Sequence, residues 1–166
     1  VADSYNLVYA VLLLSGGLIA DLYGRRRALI AGAAIFATAS MLCGLAPSIA
    51  VLTAGRAITG IGSALLLPSS LAMIRVVWPE ADARARALGV WAACNGIAFV
   101  VGPTLGGALI AASSWRAIFF LVVPLSVATI AFAFRALPES AEPQDRHFDA
   151  GAQILGAIAL GAIALA

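Results

Sequence analysis

Charged residues are so widely spaced along this 166-residue chain that they leave six apolar segments between them. These predict membrane spans over residues 4–22, 28–46, 48–74 (interrupted by Arg56), 87–112, 117–135 and 150–166. A helix needs roughly 20 mostly apolar residues, with a range of about 17–25, to cross the hydrocarbon core. All six are long enough, the two longest by tilting or by extending past the bilayer. Backbone groups in lipid must be bonded within their own segment, which dictates helices. Strands of a membrane barrel would be shorter and would alternate in polarity. Composition removes the soluble alternative: 63% of residues are hydrophobic and 11% charged, where a soluble domain carries about 25% charged. A chain of this size has too little interior to hide that much apolar surface. The expected class is an all-α integral membrane protein whose principal partner is the lipid bilayer.

The junctions alternate in character. Residues 21–27, 75–86 and 135–149 hold eight of the ten arginines, whereas the turn at Pro47 and the link at residues 113–116 hold one. Orientation follows Lys and Arg rather than net charge, which predicts that the Arg-rich junctions are cytoplasmic and the protein a multi-pass component of the cell membrane. Trp78 and Trp115 fall at segment ends, as interfacial aromatics do. Pro68, Pro103 and Pro124 lie inside segments, which membrane helices tolerate. Residues 136–146 read as a short polar loop. With no internal boundary in view, residues 1–166 form one transmembrane domain. The chain has no initiator Met and stops within an apolar run, so the expectation is an incomplete domain that needs the remainder of the same protein.

A net charge of +2, scattered over the junctions, gives no nucleic-acid surface. Cys43 and Cys94 sit inside apolar runs and read as small packing residues, outside any metal or redox spacing. The one histidine, His147, lies in a loop. Ser63 has no base within a segment to activate it, so neither a catalytic residue nor a metal site is predicted, and an intramembrane hydrolase is poorly supported.

Three features carry information. Arg56 lies eight residues past Ser48, about 12 Å down a helix at 1.5 Å per residue. A charge at a helix centre costs roughly 2.5–3.5 kcal/mol on insertion scales. Arg56 should therefore face a bundle interior or watery cavity and find a carboxylate or carbonyl; the alternative is snorkelling toward the outer interface. Thr59 and Ser63 continue its stripe. Second, Asp21 ends a helix, where the dipole disfavours an anion, and Gly24 suits a left-handed stop before Arg25, Arg26 and Arg27. Asp21 either needs a partner there or is a solvated member of a positive anchor. Third, Gly102-Pro103-Thr-Leu-Gly106-Gly107 combines a helix-kinking proline with glycines spaced for close helix contact. That suits a seal that opens and closes, or static packing. Asn95 in the same segment suggests an interhelical hydrogen bond.

At these residues the chain resembles the major facilitator superfamily, and within it the drug:proton antiporters of the fourteen-helix branch. Residues 17–29 are similar to that superfamily's signature loop between helices 2 and 3, with Gly17, Asp21, Gly24, Arg25 and Arg26 in place. Residues 52–62 resemble the helix 4 motif, with Arg56 and Gly60, and residues 102–107 the antiporter motif of helix 5. Trp115-Arg116-Ala-Ile-Phe-Phe and Phe148-Asp149 also resemble that branch, whereas Ala98 and Val122 stand where glycine and asparagine are common. The resemblance implies helices 2 to 6 and the start of a seventh, from the N-terminal half of a major facilitator bundle. It further implies a gate latch at Asp21, Arg25 and Arg26, proton coupling through Arg56, and a leak seal at Gly102, Pro103, Gly106 and Gly107. It implies no cofactor beyond the proton as coupling ion, whose carrier lies outside these residues. The function expected is proton-coupled efflux of a small amphipathic substrate by alternating access. A metabolite facilitator or importer, or a membrane sensor that transports nothing, are the alternatives.

Overall fold

A computed structural model describes residues 2–141 together with 151, 155, 156, 159 and 160. Five helices follow one another: α1 (Ala2–Tyr23), α2 (Arg25–Gly44), α3 (Ile49–Val77), α4 (Ala81–Ala112) and α5 (Arg116–Ala136). Each is long and apolar enough to cross a membrane, and no strand occurs among the described residues. The predicted segment 150–166 and His147 lie largely or wholly outside them. Gly156 is an exception, close enough to α1 that a β-carbon there would meet Leu14.

The helices run past the apolar segments wherever charge alone marked the edge. The junction expected over residues 21–27 shrinks to one residue, Gly24, and the three arginines form the first turn of α2. Gly24 adopts φ 109°, ψ 128°, a conformation glycine reaches without the steric penalty of a β-carbon. Similarly, α4 begins at Ala81 rather than 87, so Asp82, Arg84 and Arg86 are helical. Hydropathy reports where a helix meets lipid; alanine and arginine are strong helix formers and carry the coil onward into water. At the opposite end, Ser48 caps α3 by accepting the Val51 N–H at 3.4 Å. Pro68, Pro103 and Pro124 are all within helices.

Helix α3 is the hub. Gly62 and Gly32 bring it against α2 so closely that a β-carbon on either would lie 2.9 Å from the other's carbonyl oxygen. Gly60 does the same toward α1. In a membrane, where lipid is as apolar as leucine, such close approach of backbones supplies the packing. Helix α5 closes over α2, with the ring of Phe120 against Gly44. Helix α4 stands apart and buries no residue.

Candidate functional site

Asp21, at the end of α1, and Arg25, at the start of α2, lie four residues apart on either side of the Gly24 break. Arg25 Nη2 stands 3.0 Å from Asp21 Oδ1, and Nε donates to the same oxygen at 3.1 Å. Both residues are buried, at 8% and 7% exposure. A carboxylate at a helix C-terminus is badly placed for the dipole, and a guanidinium fork at this range offsets that penalty. Asp21 is thus partnered, not a solvated anchor. With Gly17, Pro68 and Arg75, the pair lines a cavity of about 620 Å³ between α1 and α3.

Glu139, just beyond α5, completes this corner. Its Oε1 accepts the Arg26 backbone N–H at 3.2 Å, and Oε2 lies 3.7 Å from Arg26 Nε and 3.5 Å from Arg27 Nε. Arg26 Nη1 donates to the Leu137 carbonyl at 3.1 Å, and the Arg25 N–H to the Ser140 carbonyl at 2.9 Å. An anion at the N-terminus of α2 meets the positive end of the helix dipole as well as two side-chain cations. The segment after α5 is therefore strapped across the α1–α2 turn. Sequence reasoning passed over Glu139 as one acid of a polar loop. No local pattern ties Glu139 to the three arginines, since Arg26 lies 113 positions away in sequence.

Arg56 sits at half-buried depth on α3, facing α1. Its guanidinium carbon is 4.4 Å from the centroid of the Tyr5 ring, so among the described residues its contact is an aromatic face, in place of the expected carboxylate or carbonyl. The negative face of a phenol ring attracts a cation without removing it fully from water. Tyr5 donates its hydroxyl proton to Ser63 Oγ at 3.0 Å, and Ser63 Oγ donates to the Thr59 carbonyl at 3.0 Å. Thr59 Oγ1 in turn donates to the Arg56 carbonyl at 2.7 Å. Gly60 lies under the Tyr5 carbonyl: a β-carbon there would come within 2.8 Å of that oxygen. Tyr5, Tyr9, Phe36 and Trp91, with Ser63 and Asn95, line a second cavity of about 370 Å³. Among the described residues its lining has no charged side chain.

The glycine motif of α4 is not drawn into either cluster. Gly102, Pro103 and Gly107 are exposed, and a β-carbon at Gly102 or Gly107 would meet nothing within 4 Å. At Gly106 it would touch only Ile118, at 3.8 Å. Within the described residues the tight helix contact expected from this spacing is thus absent, because α4 is splayed from the rest of the bundle. Asn95 bonds the Trp91 carbonyl of its own helix at 2.8 Å instead of another helix. Of the two cysteines expected to pack, Cys43 is buried and Cys94 exposed.

Residues 1–165 match the family model described as Major Facilitator Superfamily. Among curated relatives, the multidrug resistance protein Stp of Mycobacterium tuberculosis is 42% identical over the whole chain, which covers 31% of that protein. The multidrug efflux pump LfrA of Mycolicibacterium smegmatis is 40% identical over 90% of the chain and 30% of its own length. The methylenomycin A resistance protein of Bacillus subtilis is 40% identical over the whole chain and 35% of its own length. The chain therefore spans about a third of the length of these relatives. With five helices fit to cross a bilayer and a family model matched almost end to end, the chain is a multi-pass membrane protein of the Major Facilitator Superfamily.

Proposed function

We propose that this chain is part of a secondary transporter that exports small amphipathic compounds in exchange for protons, by alternating access. The Arg-rich end faces the cytoplasm, as the arginine asymmetry of the short junctions requires. The observation that carries the reading is the buried Asp21–Arg25 pair, set where two helices meet at a single glycine and lining a cavity. An ion pair in such a place is favourable only while it stays closed, which makes it a latch between two arrangements of the cytoplasmic ends. Glu139, with Arg26 and Arg27, straps the same corner. Arg56 cannot deprotonate, so its part in coupling is to act on a nearby acid by its field. Gly102, Pro103, Gly106 and Gly107 on α4 are assigned the seal. Relatives named as multidrug efflux and resistance proteins support drugs as the cargo rather than a metabolite.

The test is uptake of ethidium into inverted membrane vesicles carrying the full-length protein, with and without a proton gradient. Accumulation that stops when a protonophore collapses the gradient is expected. Equal accumulation after collapse removes antiport, and no accumulation at all removes the transporter reading.

A further inference from the structure

Three residues of α3 meet one residue of α1: Arg56 and Ser63 its side chain, Gly60 its backbone. Arg56, Gly60 and Ser63 recur at i, i+4 and i+7, a spacing that puts them along one face of the helix. Arg56 lies over the ring of Tyr5, Gly60 makes room for its backbone carbonyl, and Ser63 accepts its hydroxyl proton. Ser63 is free to accept because its own proton is committed to Thr59. Tyr5 also runs parallel to Tyr9, with centroids 6.0 Å apart and planes within 3°. Both rings form part of the wall of the second cavity, of about 370 Å³. Simple packing accounts for the approach at Gly60. It does not account for a cation on the ring face and a hydroxyl bonded in the same side chain.

We propose that Tyr5 is a positioning residue that links occupancy of this cavity to the placement of Arg56. The inference rests on the transport reading above and extends it to a residue outside the signature motifs. In the arrangement seen here the ring face holds the guanidinium. A planar aromatic ligand entering the cavity stacks on the same tyrosine pair and changes that hold. Displacing a permanent cation alters the field at any acid it faces, and with it the acid's affinity for a proton. Tyr5 itself transfers nothing; it acts through Arg56.

The experiment uses the full-length transporter in proteoliposomes with ethidium as the probe, in two modes. Gradient-driven accumulation requires coupling to protons, whereas ethidium counterflow at equal pH requires only binding and the alternation of the loaded carrier. Tyr5→Phe keeps the ring face and loses the hydroxyl bond; Tyr5→Leu loses both. Tyr5→Leu removes a stacking wall, so it is expected to raise the ethidium concentration for half-maximal counterflow but to leave the maximal counterflow rate at saturating ethidium within about twofold of wild type, while accumulation at the same saturating ethidium falls about tenfold or more. Tyr5→Phe should retain both modes to within about threefold. The proposal is overturned if Tyr5→Leu accumulates ethidium like wild type, or loses both modes together as a packing defect would. Tyr5→Met, unbranched and ringless, replaces the leucine variant if that does not reach the membrane, and is held to the same outcomes. Wild-type counterflow without accumulation points to a failure of the proton-coupling reading itself, and the link to Arg56 falls with it.

Discussion

Neither charge of the Asp21–Arg25 pair is tolerable alone at its depth. The two residues are 8% and 7% exposed, and removing one partner of a buried pair costs about 3–5 kcal/mol because the other is left uncompensated. Part of that penalty belongs to the survivor, so removing both should cost less than the single changes imply. In a double-mutant cycle of Asp21→Asn and Arg25→Gln, we expect a coupling energy of about 1–3 kcal/mol. Thermal unfolding of the purified protein in detergent measures it, and additive losses would show that the pair is held by other contacts. The same cycle separates two kinds of legibility. That Asp21 needed a partner was readable from its position at a helix C-terminus beside a run of arginines. Which arginine it would choose was not: Arg25 wins because the single-residue break at Gly24 leaves it four positions on, within direct reach, while Arg26 and Arg27 turn to Glu139.

Among the helices, glycine has opposite meanings on α3 and α4. A β-carbon at Gly62 would lie 2.9 Å from the Gly32 carbonyl oxygen and from the Phe36 backbone nitrogen, backbone atoms that cannot rotate away. At Gly107 it would meet nothing within 4 Å. Gly62→Ala should therefore destabilise the bundle by about 1–3 kcal/mol, the usual penalty of overpacking. Gly107→Ala should leave stability unchanged or slightly raised, since alanine favours helix. Melting temperatures of the two variants decide, and equal shifts would contradict the α2–α3 crossing. Both glycines sit in small-residue runs that look alike in sequence. Helix identity and number follow from local hydropathy, which each segment carries by itself. Which face of a helix meets a neighbour depends on residues far away: Glu139 reaches Arg26 across 113 positions and Tyr5 reaches Ser63 across 58. No periodicity within one segment encodes such a meeting, which is why the motif residues were nameable while Tyr5 and Glu139, their contacts, were not.

Taken as one molecule, the bundle has two unlike ends. Arg25, Arg26, Arg27, Arg75, Arg84, Arg86 and Arg135 belong to one, with the Asp21–Arg25 pair proposed above as a latch and the contacts of Glu139. At the other, Arg116 donates to the Ala46 carbonyl at 3.0 Å and lies over the ring of Trp115, tying the α2–α3 turn to the start of α5. Short junctions rich in arginine are retained on the cytoplasmic side during insertion, so the latch should be out of reach from outside an intact cell. Glu80 and Ser113 flank α4 at its two ends, and both are exposed. With Cys94 and every reactive cysteine elsewhere in the full-length protein replaced by alanine, and Cys43 buried, we expect Ser113→Cys to react with a membrane-impermeant maleimide on whole cells. Glu80→Cys should react only after the membrane is opened. The reverse pattern would put the latch outside the cell, where it could not close the cytoplasmic side of a cavity, and would remove the export mechanism while leaving the helix packing intact. Labelling of both positions on intact cells would mean that α4 does not cross the bilayer, which a 32-residue helix with no buried residue can satisfy only by lying along its surface.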